Sequence, residues 1–461
     1  MKAIQLNKLA QIMGGRLTAG SPSKIVQSLN FGNPKQLKPH QVYFYTRKIR
    51  WHEKQLPAIQ RIRPLAVVLP AHLSARGIPP GTSIIRVQDA YQAFFKAGLW
   101  NWKQCPARVI GITGSAGKTT TTEMVASILK YRAPMVKTHR NLNTFSFLPT
   151  YLTRLTGKEK LLLLEMGMKS LNNIRKQCQI VRPEIGAVTN VGEAHAGSLG
   201  GLHLIVKAKQ ELVDGVRKNG TLILNADDPR SRKLKTNRFQ GKILTFGIRN
   251  PAHIRGKNIR YTRNGMAFDT VLQGRSFPVR IPVFGTHNVY NALTAIGVAW
   301  AYGTTIPEIQ KGLATFKAPK MRLEFIRTKS GRILINDAWN ANPTALRAGL
   351  DVLKNVSGSR PKIAVLGDML ELGEYSHQAH RQSGKYAARL GLTQLITLGK
   401  RGKIIARSAV ANGMSPQRVL ACDDFRQALH HLARTPKNAV IYFKASRSLH
   451  FEKLVRQLKR L

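Results

Sequence analysis

An α/β fold in three units is what the sequence predicts, and three observations predict it. The chain has 461 residues, more than one hydrophobic core organises, so two to three domains are expected. Apolar runs of strand length alternate with helix-length amphipathic segments from Pro106 to Lys317 and again from Ala318 to Leu461, the pattern of covered, mostly parallel sheets. The run from Val109 to Ile112 opens through Thr113-Gly114-Ser115-Ala116-Gly117 into Lys118-Thr119-Thr120-Thr121, which reads as strand, phosphate-binding turn and helix. The expected division is residues 1–105, a small substrate domain, 106–317, a central nucleotide domain, and 318–461, a Rossmann-like domain.

In the first unit a short helix is expected from Leu6 to Met13, ended by Gly14-Gly15, with strands at Val42 to Tyr45 and Leu65 to Leu69. Ile62-Arg63-Pro64 and Pro79-Pro80-Gly81 mark turns. Nothing in this stretch points to catalysis.

The second unit turns on its glycine-rich loop. Gly114 and Gly117 let the backbone turn its N–H groups inward, and a helix N-terminus follows, with an apolar face at Met124, Val125, Ile128 and Leu129. Gly114, Ser115, Ala116, Gly117, Lys118, Thr119 and Thr120 are therefore the expected phosphate-binding set, Lys118 reaching the terminal phosphates and the Thr119 hydroxyl holding magnesium. Ile112 stands where the strict pattern has its first glycine. Leu161 to Gly167 reads as a buried strand ending in Glu165, which is placed to ligate magnesium or is an ordinary strand-end acid. A strand from Ile185 to Val188 opens into a stretch containing His195, and a helix carries Lys207-Ala208-Lys209-Gln210-Glu211. Asn225, at the end of a further strand, reads a base or ribose or simply builds the turn Asn-Ala-Asp-Asp-Pro. Residues 230–282 are expected to be an irregular, basic β-rich insertion.

The third unit repeats strand then helix, with strands at Ile333 to Ile335, Ile363 to Leu366, Leu395 to Leu398 and Ala439 to Phe443. It lacks the G-x-G-x-x-G fingerprint, so dinucleotide binding is not expected. Asp337, Asn340, Asn342, Asp368 and Lys444 follow strands, at the edge where open α/β sheets bind ligands. His377 and His380 form an H-x-x-H without a third ligand, and a solvated helix face is expected there.

Composition narrows the class. Hydrophobic content of 43% fits a globular protein, no apolar run is long enough to span a bilayer, and the stretch from Met1 to Lys8 leads into no signal-peptide core. Cys105, Cys178 and Cys422 stand far apart, outside any paired metal spacing, which points to a reduced, cytoplasmic setting. Lys and Arg number 74 against 22 Asp and Glu, a formal charge of +52. Such a surface attracts polyanions and allows weak association with anionic surfaces, but the charge is spread along the whole chain without a nucleic-acid module.

Taken together the motifs resemble the Mur ligases, most closely the members that add D-alanyl-D-alanine. The matching segments are Gly111 to Thr120, Asn141-Leu142-Asn143-Thr144, Glu165-Met166-Gly167, Glu193-Ala194-His195, Ala208-Lys209-Gln210-Glu211 and Asn225-Ala226-Asp227. They continue with Gly285-Thr286-His287-Asn288-Val289-Tyr290-Asn291-Ala292, Arg322-Leu323-Glu324, Asn336 to Pro343, Gly367 to Gly373 and Lys444-Ala445-Ser446-Arg447. The order is the family's, over roughly the last three quarters of the chain, and the family's loop also lacks the first glycine.

The resemblance implies ATP and two magnesium ions. Lys118 and Thr119 would hold ATP and its ion, Glu165 would ligate that ion and His195 a second, and Lys209 matches a lysine that is carbamylated into a further ligand. Asn291 matches an adenine-side residue and Arg322 one that contacts the phosphates. Asp337, Asn340 and Asn342 correspond to the segment facing the acyl phosphate and the incoming amine. The implied reaction is ATP-dependent amide formation, with an anionic nucleotide-peptide and D-alanyl-D-alanine or another amine as substrates, by a monomer.

Departures concentrate in the first unit. Ser28-Leu29-Asn30-Phe31-Gly32 stands where the family has Asp-Ser-Arg, and the glycine and acid expected near Lys48 to His52 are missing. Trp339 replaces a Tyr and Ala445 a Gly. A ligase with a different acidic acceptor is thus a second reading, and a non-catalytic binder of polyanions, supported by charge alone, a third.

Overall fold

The structure, a computed structural model, describes residues 1–192 and 201–460. It contains strands of all three expected regions, each flanked by helices. The N-terminal strands are β1 (Ile4–Gln5), β2 (Arg16–Ala19), β3 (Ile25–Val26), β4 (Leu29–Phe31), β5 (Val42–Phe44), β6 (Ala66–Pro70) and β7 (Ser83–Val87). β1 and β3 pair antiparallel, and the rest form a five-stranded sheet in the order β2-β7-β6-β5-β4, parallel except for β2. Side chains alternate across it. Val42, Phe44, Val68 and Ile85 face the helices Leu6–Ile12 and Ala90–Gln104, while Tyr43, Val67 and Leu69 pack with Trp51, Leu56 and Ile59 on the other side. Ala90, Ala93, Phe94 and Ala97 give the second of those helices its apolar stripe, and Asp89 caps it by accepting the Gln92 N–H at 2.8 Å.

The central strands are β8 (Arg108–Thr113), β9 (Met135–Lys137), β10 (Leu161–Glu165), β11 (Ile185–Val188), β12 (Thr221–Asn225), β13 (Lys242–Gly247), β14 (Ile254–Thr262), β15 (Gly265–Leu272) and β16 (Arg275–Ile281). They form one nine-stranded sheet in the order β16-β15-β14-β13-β12-β11-β8-β10-β9. Residues 230–282 are therefore no irregular insertion. β13 continues the parallel sheet from β12, and β14, β15 and β16 extend it as an antiparallel ribbon. In β16, Phe277, Val279 and Ile281 are buried while Ser276, Pro278 and Arg280 are exposed. The period of two is present, but Pro278 within the run argues against a strand, and it is tolerated because β16 is the edge of the sheet.

The C-terminal strands are β17 (Glu324–Arg327), β18 (Ile333–Asn336), β19 (Lys362–Gly367), β20 (Gln394–Leu398), β21 (Val419–Cys422) and β22 (Val440–Lys444). Their order is β17-β18-β22-β19-β20-β21, parallel except for β17. The edge strands β17 and β21 were not expected: each has four residues and at most one is buried, so neither carries a continuous apolar run. Apolar layers cover both faces, Leu346, Leu350 and Leu353 on one side and Leu432, Leu454 and Leu458 on the other. His380 also departs from expectation: it is wholly buried, because its ring closes main-chain hydrogen bonds within this layer.

The described chain divides into two compact units, Met1–Val109 with Arg132–Leu163, and Ile110–Tyr131 with Leu164–Leu461. The side chains of the candidate site all belong to the second. Among the described residues no helix is long and apolar enough to cross a membrane.

Candidate active site at the strand ends

In the sheet order β8 lies between β11 and β10, and the chain leaves β8 toward β9 on one side but leaves its neighbour β11 toward β12 on the other. That is the crevice in which open α/β sheets bind ligands. Beyond Thr113 the chain turns through Gly114 and Gly117, with φ of +151° and +82°. A β-carbon at Gly114 would overlap Thr189 Oγ1, and one at Gly117 would overlap Asn291 Oδ1, so glycine is required at both.

The turn is fastened from behind. Ser115 N–H donates to Asn190 O and Ala116 N–H to Asn190 Oδ1, each at 3.0 Å. Ser115 Oγ donates to Gly192 O at 2.9 Å, and Thr189 Oγ1 and Asn190 Nδ2 donate to Ala116 O at 2.6 and 3.0 Å. The inward-pointing N–H groups are consequently not those of Ser115 and Ala116. Those of Lys118, Thr119 and Thr120 precede the first intrahelical bond, from Thr121 N–H to Gly117 O at 2.8 Å, and make the helix Lys118–Leu129 an anion site.

Three further side chains meet there. Thr119 Oγ1 donates to Glu165 Oε2 at 2.8 Å, and Lys118 Nζ folds back onto Gly114 O at 2.8 Å. Lys209, on the helix Leu202–Gly215, is 1% exposed, with Nζ 3.3 Å from Thr113 Oγ1 and 3.6 Å from Met168 Sδ. Burial lowers the pKa of Lys118 against the pull of Glu165, and Arg322 lowers it further. Burial and the Lys118 charge hold Lys209 well below the ordinary lysine range, although Glu211 and Glu165 oppose them. Glu211 is occupied otherwise: its carboxylate accepts the N–H groups of Asn172, Ile174 and Arg175 at 2.6, 3.1 and 3.0 Å and so caps the helix Asn173–Val181.

A second cluster lies at the ends of β18 and β22. Asp337 and Lys444 form a buried ion pair, and the same carboxylate accepts Tyr442 Oη at 3.1 Å and Leu323 N–H at 3.3 Å. Burial lowers the pKa of Arg322, with Asp337 and Glu165 opposing, which puts its guanidinium within the field of both clusters. His287 is pushed down to about 4 by burial, against the Asp337 charge and with that of Lys444. Beside it opens a cavity of about 270 Å³, lined by Tyr261, Thr286, His287, Ala348, Asp351 and Asn355.

The remaining expected residues divide. Asn291 touches the nucleotide turn, its Oδ1 3.4 Å from Thr121 Oγ1. Asn225 builds its turn, donating to Thr189 O and accepting Asp227 N–H, both at 2.9 Å. Asn340 is exposed and accepts the N–H of its neighbour Ala341 at 2.8 Å, while Asn342 caps the helix Pro343–Ser357 through Ala345 N–H at 2.8 Å. Asp368 caps the helix Gly402–Ala411, accepting the Arg401 and Gly402 N–H groups at 3.0 and 2.8 Å. His195 and Glu193 lie outside the described residues. Thr189, Asn190 and Tyr442 were not anticipated as site residues. The position of the first two directly after β11, beside the phosphate strand, was the available signal.

Among the described residues no three His, Cys, Asp or Glu side chains gather as a metal site. A magnesium ion is fitted instead by oxygen donors, the Thr119 hydroxyl touching the buried Glu165 carboxylate.

Comparison with known proteins agrees with this construction. The family model for the Mur ligase middle domain matches residues 112–299, and that for the Mur ligase, glutamate ligase domain matches 321–447. A UDP-N-acetylmuramoyl-tripeptide--D-alanyl-D-alanine ligase of Bacillus subtilis (strain 168) is 32% identical over 381 residues, 82% of each chain. The protein of that name from Haemophilus influenzae is 30% identical over 460 residues, covering 98% of this chain and 97% of its own. Among solved structures, MurF from Acinetobacter baumannii superposes with a TM-score of 0.87 at 26% identity, over 100% of both chains. Likeness on this scale extends through the unit whose motifs diverge, and with it the chain belongs to the Mur ligase family.

Proposed function

We infer that this chain is an ATP-dependent ligase that joins D-alanyl-D-alanine to UDP-N-acetylmuramoyl-tripeptide in peptidoglycan precursor synthesis. The observation that carries the reading is the convergence of Lys118, Thr119, Glu165 and Lys209 at the end of β8. A carboxylate and an amine do not condense at neutral pH, and ATP as a substrate activates the acid as an acyl phosphate. Two anions must then meet, so the site's task is to neutralise and position oxygens. Lys118 and the helix N–H groups hold the terminal phosphates, and Arg322 offers a second cation from the C-terminal side. The Asp337–Lys444 edge lies on the side of the incoming amine.

Magnesium, when bound, offsets anionic charge on the phosphates and the acid. Thr119 and Glu165 would hold one ion, and His195 with a carbamylated Lys209 a second. The depressed pKa of Lys209 supports that modification, because a neutral amine is the form that adds carbon dioxide. We further propose the division 1–105, 106–317 and 318–461, with the first part reading the nucleotide-peptide, a monomeric state, and a cytoplasmic location shared with ATP and the nucleotide precursor.

Incubation with the nucleotide tripeptide, D-alanyl-D-alanine and Mg-ATP tests the assignment: phosphate and the amide product should appear together. Absence of both from a folded preparation overturns it. One observation favours a second reading, a related ligase with another acidic acceptor. Asn30, standing in the region where the family pattern has Asp-Ser-Arg, is buried, and its side chain bonds Asn33 O at 3.1 Å, Asn33 N–H at 3.1 Å and Gln41 Oε1 at 3.3 Å. It stabilises a turn and leaves recognition to other groups. Turnover only with other carboxylate and amine pairs would select this reading.

A further inference from the structure

His380 lies on the helix Ser376–Ala388 with no exposed surface. Its ring nitrogens face main-chain groups of opposite kind. Nδ1 is 2.6 Å from Ser376 O, and Nε2 accepts the Met369 N–H at 2.9 Å. A carbonyl only accepts and an N–H only donates, so the ring is neutral with its proton on Nδ1. Burial keeps its pKa below the ordinary value, although the Ser376 carbonyl and Asp368 oppose it; Arg401 and His377 add to the lowering.

Met369 belongs to the turn after β19, and this turn is stitched to the chain leaving β22. Leu370 N–H donates to Ser446 Oγ at 2.8 Å, and Ser446 N–H donates to Asp368 O at 3.0 Å. Two residues before Ser446 stands Lys444, paired with Asp337. One residue after it stands Arg447, whose guanidinium lies 5.7 Å from the centre of the Trp339 ring. The chain of contacts therefore runs from one imidazole nitrogen to both sides of the strand-end cluster.

We propose that His380 is a positioning residue for the amine side of the ligase site: its neutral ring fixes the Asp368–Leu370 turn, which holds the Lys444–Arg447 segment against Asp337 and Trp339. The proposal rests on the reading of that cluster as the amine side. The role needs an acceptor at the Nε2 position and is independent of the phosphate turn. Protonation would set an Nε2–H donor against the Met369 N–H donor. Asp368 favours that charge, and Arg401 and His377 oppose it.

The test is steady-state phosphate release with D-alanyl-D-alanine varied at saturating nucleotide tripeptide and Mg-ATP, then with ATP varied. His380→Leu removes the acceptor and His380→Asn keeps polarity but places its amide near Nδ1. Both should lower kcat/KM for the dipeptide by about tenfold or more, as expected when a reacting group is displaced by a fraction of an ångström, with KM for ATP changed less than about twofold. His380→Gln returns an acceptor near Nε2 and should recover most of the loss. It should also remove the part of the acid limb of the pH profile that follows the His380 titration. Equal loss in the Gln and Asn variants, or an unchanged His380→Leu enzyme, overturns the positioning role. Asp337→Asn separates the two levels: if it leaves the dipeptide kinetics unchanged, the amine-side reading fails first.

Discussion

Replacing Lys444 by Met should unfold the C-terminal sheet early, and a second substitution should restore it. Lys444 and Asp337 are 1% and 9% exposed as side chains, so the Met side chain leaves a carboxylate in a low-dielectric site. Removing one partner of such a pair costs on the order of 3–5 kcal/mol, mostly through the stranded charge. Asp337→Asn in the Lys444→Met background removes that charge. The two remaining contacts of Asp337 go to different oxygens, Leu323 N–H to Oδ1 at 3.3 Å and Tyr442 Oη to Oδ2 at 3.1 Å. The Asn amide oxygen still accepts the former, while its NH2 group donates to the Tyr442 hydroxyl, which turns to accept. The double variant should thus regain stability to within about 1–2 kcal/mol of the parent. Urea unfolding of the parent, both single variants and the double variant measures the coupling, and phosphate release on the same preparations measures function. Activity should stay low in the double variant, because stability returns without the charges. A Lys444→Met protein as stable as the parent, or a double variant no more stable than Lys444→Met, would refute the argument.

Lys209→Ala should abolish turnover, Lys209→Glu should restore part of it, and added short carboxylates should rescue the Ala variant; full activity of Lys209→Ala would remove the carbamate. Gly117→Ala meets both a left-handed φ of +82° and Asn291 Oδ1, so it should cost about 1–3 kcal/mol in thermal unfolding and weaken ATP binding. Trimming Asn291 to Ala in the same protein relieves the overlap but not the φ, and should recover only part of the stability. His287 is pushed from its ordinary 6.5 to about 4. The unfolded chain therefore takes up a proton before the folded one does as pH falls below 6.5. Stability is unaffected by this group above that pH and declines toward pH 4 by at most about 3 kcal/mol, a loss that His287→Gln should reduce.

What the sequence makes legible is local. The step from β8 into its turn and helix is readable because a continuous apolar run gives way to glycine and then to helical spacing within one short stretch. Lys209 is partly legible: it falls among Ile205, Ala208 and Leu212 on the buried stripe of its helix, where a lysine signals either a functional amine or an error in the helical register. Pairing across the sheets is a different matter. Thr119 and Glu165 are 46 residues apart, Lys209 and Thr113 96, and Asp337 and Lys444 107. Strand order brings each pair together, and hydrophobic periodicity carries no strand order. Residue type at a strand end is therefore an incomplete guide. Asp337 and Asn340 stand three residues apart after β18, yet one is buried against a lysine and the other is exposed and bonded to its own neighbour. His380 is a more local case, since its partner Met369 lies 11 residues upstream in the loop that joins β19 to its helix, and spacing alone does not reveal which way that loop folds. A polar residue beside a strand end becomes a site residue when the topology closes a second element over it.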